Sequence, residues 1–150
     1  NRKTLFDTVV RQPLSVRIDP VSAVAEAGIP ALQPSINFFP HPRYAYYRIL
    51  LAFTAVSNYA CDEKSRKYNA VCPRLPDYKP VITPWLASAM PQPPASYRIE
   101  PTDDAGPAGP GMILVFGAGI QYGMPSADGS IQPVPRAGAA RVLKSVARDA

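Results

Sequence analysis

From Pro73 to Pro110 the chain carries ten prolines, at positions 73, 76, 80, 84, 91, 93, 94, 101, 107 and 110. Each holds its own φ at about −65° and removes a backbone donor, so neither a long helix nor a central strand fits this stretch. Only short extended candidates lie between the prolines, at residues 81–82, 85–86 and 97–99. The rest reads as polyproline-like chain laid over a surface. Its last part, PTDDAGPAGPG at 101–111, reads as a mobile loop or linker.

Nineteen prolines in 150 residues exclude a coiled coil and an all-helical bundle, and no G-X-Y period supports a collagen-like chain. The apolar fraction of 47% is nevertheless enough for one core. The longest apolar runs, 49–53 and 112–120, fall well short of the roughly 20 residues of a membrane-spanning helix.

Alternation of Leu14, Val16 and Ile18 with polar residues predicts a half-buried strand over 14–18, stopped by Asp19-Pro20. Residues 4–10 form a short apolar stretch. Two helical turns are expected over 21–27, where Gly28 offers a cap and Pro30 forbids continuation. Residues 35–39, bracketed by Pro34 and Pro40, suit an edge strand or irregular extended chain. The region 44–56, YAYYRILLAFTAV, satisfies helical spacing and alternation nearly equally. Its length and Pro42 tip the reading to a helix, and on either reading it is the core element. Strands are expected at 112–116 and 119–124, with a turn at 127–130 and a further extended piece at 131–134. Residues 139–147 read as an amphipathic helix, with Ala139, Val142, Leu143 and Val146 on one stripe and Arg141, Lys144 and Arg148 opposite. The expected fold is α+β. It is a single mixed domain over 1–150 with short strands, a C-terminal amphipathic helix and extended proline-rich segments.

Chemistry is sparse. Cys61 and Cys72 flank a mostly polar stretch, which suits a disulfide closing a solvated loop or two inert thiols. A zinc site would need more ligands at short spacing, and the single His41 lies 20 residues from Cys61. The pattern Gly117-x-Gly119-x-x-x-Gly123 follows an apolar strand, but turn residues stand where a dinucleotide fold needs a helix. Glycines serving a bulge or a close backbone crossing explain it better. Asp103 and Asp104 are adjacent, so nothing makes them converge as an acid/base pair. The net charge of +5 comes from scattered basic residues, which suits solubility and an acidic partner better than a nucleic-acid arm. No cofactor and no metal is implied, and nucleic acid is disfavoured.

The aromatic cluster around His41 is the strongest binding candidate, because rigid rings with one polar tip suit interfaces. Phe38, Phe39, Tyr44, Tyr46, Tyr47 and Trp85 are the expected partner-contacting residues, with 62–68 as a further contact loop. The expected function is a non-catalytic binding or assembly subunit making extended protein–protein contacts, since stiff proline-rich chain orders at small entropic cost. The partner would be a protein or a larger assembly. A start at Asn1 and a Cys61–Cys72 disulfide would suit a processed, secreted or periplasmic chain, or a fragment. The alternative is a piece of a hydrolase or secreted toxin with His41 as general base.

Overall fold

The computed structural model describes residues 5–57, 59–62, 67–70, 75–102 and 112–148. Among them the chain forms a short helix, α1 (Phe6–Val9), followed by strands β1 (Ser15–Asp19), β2 (Val24–Ile29), β3 (Tyr46–Ser57) and β4 (Tyr59–Asp62). Then come β5 (Lys67–Ala70), β6 (Val81–Ile82), β7 (Leu86–Ala87), β8 (Ala95–Ile99), β9 (Met112–Pro125), β10 (Ile131–Pro133) and β11 (Ala139–Arg148).

Two long strands organise the molecule. β3 and β9 pair antiparallel from Tyr46↔Gly123 to Ser57↔Met112. Residues facing each other across such a pair share a side of the sheet. Tyr47, Ile49, Leu51, Phe53 and Ala55 of β3 are buried, as are Met112, Leu114, Phe116, Ala118, Ile120 and Tyr122 of β9. These rows make one apolar surface, and each large side chain buried there stabilises the fold by about 1.5–3 kcal/mol.

The other edge of β9 takes the C-terminal chain. β10 pairs with Gly123–Pro125 and β11 with Met112–Ile120, so residues 131–148 run back along nearly the whole of β9. Between them residues 134–138 bulge out of the ladder. Val134 N–H still donates to the Tyr122 carbonyl at 2.8 Å, and pairing resumes at Ala139↔Ile120. Pro135 has no N–H to offer. Arg136 takes a left-handed backbone with φ 62°. Gly138 passes so close to the Ile120 carbonyl oxygen that no Cβ fits.

The free edge of β3 is covered in pieces, as proline demands. β6 pairs at Leu50 and Leu51, and β7 at Tyr46 and Tyr47. Pro84 separates them, and the buried Thr83 bridges the gap. Its N–H donates to the Ile49 carbonyl at 3.0 Å, and its Oγ1 accepts from Ile49 N–H at 2.9 Å. A second antiparallel sheet, β1–β2–β8, adds Ala25, Ala27, Ile29 and Ile99 to the same core cluster. β4 and β5 form a separate two-stranded hairpin.

The α+β expectation is therefore wrong: the described chain is nearly all β-sheet, curled, with no C-terminal amphipathic helix. Residues 139–147 lie in β11, where the open edge of β9 supplies backbone partners that a helix would forgo. A bulge between Val142 and Lys144 lets apolar residues spaced for a helix fit a strand. Residues 46–56 of the region expected as a helix lie in β3, and alternation prevailed because β9 covers that strand along its full length. Residues 21–27 split into a turn and β2. The Asp19 carboxylate holds that turn by accepting from Val21 N–H at 2.9 Å, a bond that keeps its pKa below the usual value. Residues 35–39 form a turn tied to Val10 and Pro34 by isolated bridges at Phe38.

Several of the expected strands are present. The strand expected at 14–18 is β1, and the short candidates at 81–82, 85–86 and 97–99 correspond to β6, β7 and β8. The strands expected at 112–116 and 119–124 are one strand, β9. Of the stretch 101–111, residues 103–111 lie outside the described residues. Thr102 N–H donates to the Asp77 carbonyl at 2.9 Å.

Candidate functional site

On the side of β3 and β9 facing away from the core, the sequence places small residues in the middle. Ala52 lies opposite Gly117, and Leu50 opposite Gly119. With so little side chain above the backbone, the face sinks into an apolar trough of about 630 Å³. Leu50, Ala52, Gly117 and Gly119 form its floor. The 134–138 bulge and Val142, which is 61% exposed, border it along the β11 side. No carboxylate lines the trough among the described residues. Two arginines do. The Arg141 guanidinium is turned away to a short ion pair with Asp7, whereas Arg136 is exposed on the bulge.

One end of this face is closed by the chain itself. Trp85 lies over Gly123, so that a Cβ there would stand 2.8 Å from Trp85 Cζ3. The Arg48 guanidinium stacks on the indole, 4.3 Å from its centroid, and its Nε–H donates to Gln121 Oε1 at 2.7 Å. That stack satisfies both the cation and the ring, and it is half-buried.

The structure separates the aromatic residues that the sequence suggested as one contact patch. Phe38 and Tyr47 are in the core, 4.6 Å apart between ring centroids. Phe39 is half-buried beneath the Arg11 guanidinium at 4.1 Å. Tyr44 packs on Tyr122 and His41, with centroids at 5.4 and 4.8 Å. Only Tyr46 and Trp85 reach the outer face, both bordering Gly123. Of the 62–68 loop, Asp62 pairs with Lys67 across β4 and β5, and residues 63–66 lie outside the described residues. Cys61 pairs with Tyr68 on the same hairpin, and Cys72 lies outside the described residues.

His41 is held as a structural residue. Its Nδ1 accepts from Arg43 N–H at 3.1 Å, and its own N–H donates to the Tyr122 hydroxyl at 3.0 Å. Tyr122 has a raised pKa because burial penalises the phenolate, partly offset by that bond from His41. Burial alone pushes the Tyr47 hydroxyl up to about 12. An imidazole packed beside Tyr44 and Tyr122, with its Nδ1 already accepting from backbone, is poorly placed to take a substrate proton.

The turn after β9 is a compact polar knot. Asp128 Oδ1 accepts from the Ser126 and Ser130 hydroxyls, the latter at 2.7 Å, and from Ser130 N–H at 3.0 Å. These bonds, the Ser126 one foremost, hold its pKa down at about 2. Gly129 supplies the positive φ, 88°, that closes the turn.

The glycine pattern is thus a sheet feature. Gly117 and Gly119 floor the trough, Gly123 admits Trp85, and strand continues where a nucleotide fold would need a helix. Ala52 and Arg136 escaped the sequence reading. Two glycines spaced by two on one strand, with a Pro-Arg-x-Gly break in its neighbour, are the local signal that marks them. Among the described residues no group of three or more His, Cys, Asp or Glu could hold a metal, and no helix is long and apolar enough to cross a membrane. No protein family, curated protein or solved structure matches this chain.

Proposed function

We propose that this chain is a non-catalytic binding or assembly subunit whose contact surface is the trough on the outer sheet face. One observation carries the reading. Gly123 is filled by the chain's own Trp85, whereas Ala52 and Gly117 form an open apolar floor on the same face. Open, contiguous apolar surface on a folded protein marks interaction sites. A secreted or periplasmic setting is proposed on Cys61 and Cys72. Oxidation of that pair would lower the native mass by about two daltons.

The test of function is Ala52→Phe, which fills the floor from an exposed strand position where an aromatic suits the local backbone. A partner retained by the wild-type chain and released by this variant is the expected result. Equal retention by both, or a hydrolytic activity abolished by His41→Ala, overturns the reading.

A further inference from the structure

We infer that the trough receives an extended segment of a partner protein that carries carboxylates beside an apolar centre. The inference rests on the proposed binding role and adds the chemistry of the partner.

Shape argues for extended chain. The floor runs along two paired strands, and exposed residues, Arg136, Ala140 and Val142, form one border. A shallow site of about 630 Å³ opening to solvent along its length suits a segment lying in it better than an enclosed small molecule. With Ala52 and Gly117 as floor, branched aliphatic side chains of the segment have room to seat.

Charge decides what accompanies that centre. Arg136 is the exposed cation of the border, raised by the bulge, and no ion pair engages it among the described residues. Its left-handed backbone is one that glycine adopts more readily, yet an arginine stands there. Arg48, at the far end of the same face, is already engaged by Trp85 and Gln121, so among the described residues Arg136 alone supplies the free charge of the site. A basic segment would be repelled from this border, and a neutral one would desolvate Arg136 without compensation. A second copy of the chain would bring its own net charge of +5 to the same border, which disfavours self-association.

The experiment uses fluorescence anisotropy with the full chain and two labelled peptides. One has a Leu-Val-Leu centre with two Glu on each side; the other has Lys in place of every Glu. The Glu peptide is expected to bind, to weaken about tenfold with Arg136→Glu, and to weaken with added salt. Ala52→Phe, with unchanged thermal unfolding, is expected to abolish its binding. Arg136→Gln removes the charge and keeps most of the side-chain length, so it should give a smaller loss than the reversal. Equal affinity for both peptides, each lost with Ala52→Phe, overturns the acidic assignment and leaves the binding role standing. No binding of either peptide, or binding indifferent to Ala52→Phe, overturns the trough as the contact surface as well.

Discussion

Trp85 fills the space that a side chain at residue 123 would occupy: a Cβ on Gly123 would stand 2.8 Å from Trp85 Cζ3 and 2.6 Å from Ile131 Cγ2. The indole arrives from the proline-broken chain on one side of the sheet and Ile131 from β10 on the other. A missing side chain in the central strand therefore joins both flanks. Gly123→Val should cost about 1–3 kcal/mol through overpacking, read as a lower melting temperature. Adding Trp85→Ala should recover part of that loss. Strictly additive losses in the double variant would show that the two positions do not share the space.

Two buried tyrosines should answer oppositely to loss of a hydroxyl. Tyr122 accepts the His41 N–H, so Tyr122→Phe strands a part-buried donor and should cost about 1–3 kcal/mol. The Tyr47 hydroxyl is buried with no hydrogen-bond partner among the described residues, so Tyr47→Phe should be neutral or stabilising. Denaturant titration of both variants checks this, and a large loss from Tyr47→Phe would mean that its hydroxyl is satisfied.

Tyr47 also sets an alkaline limit. Its folded pKa of about 12 exceeds the ordinary 10.0, so its contribution to stability is complete below pH 10 and is lost as pH rises through about 12. Stability measured from pH 9 to 12 should fall less steeply in Tyr47→Phe than in the wild type. Parallel curves would refute the assignment.

At the acid end the sign reverses. Asp128 has a folded pKa of about 2, below its ordinary 3.8, so its contribution is present above pH 3.8 and is lost as pH falls through about 2. Carboxyl resonances followed by NMR should show Asp128 still ionised at pH 3. In Asp128→Asn the 126–130 turn should lose its pH dependence in that window. A midpoint near 3.8 in the wild type would show that the serine hydroxyls do not hold it.

Val142 separates the strand from the helix that spacing suggested. On β11 it is 61% exposed, so Val142→Glu should change stability by no more than about 0.5 kcal/mol. As a member of a buried helical stripe it would cost several times more. Far-UV circular dichroism of the variant should keep the wild-type β signature.

Much of the architecture was legible where local chemistry is decisive. Pro80 and Pro84 limited β6 and β7 to short edge pieces, as loss of a donor requires. Asp128-Gly129 announced its turn through a side-chain acceptor and a residue free to take positive φ. Less of the site was legible. Phe38 and Tyr47 look like contact rings in sequence and lie in the core, while Ala52 and Gly117, with little side chain to notice, form the trough floor.

By itself, then, the sequence determined where this chain must turn, where proline breaks it, that 44–56 would supply the core element and that 112–116 and 119–124 would be strand. Tertiary structure decided that 46–56 and 139–147 are strands and which of their faces meets the core. The reason is that periodicities of 3.6 and 2 are nearly degenerate in short apolar runs. The tie is broken by the unpaired N–H and C=O groups of β9, a partner remote in sequence whose edges must be satisfied.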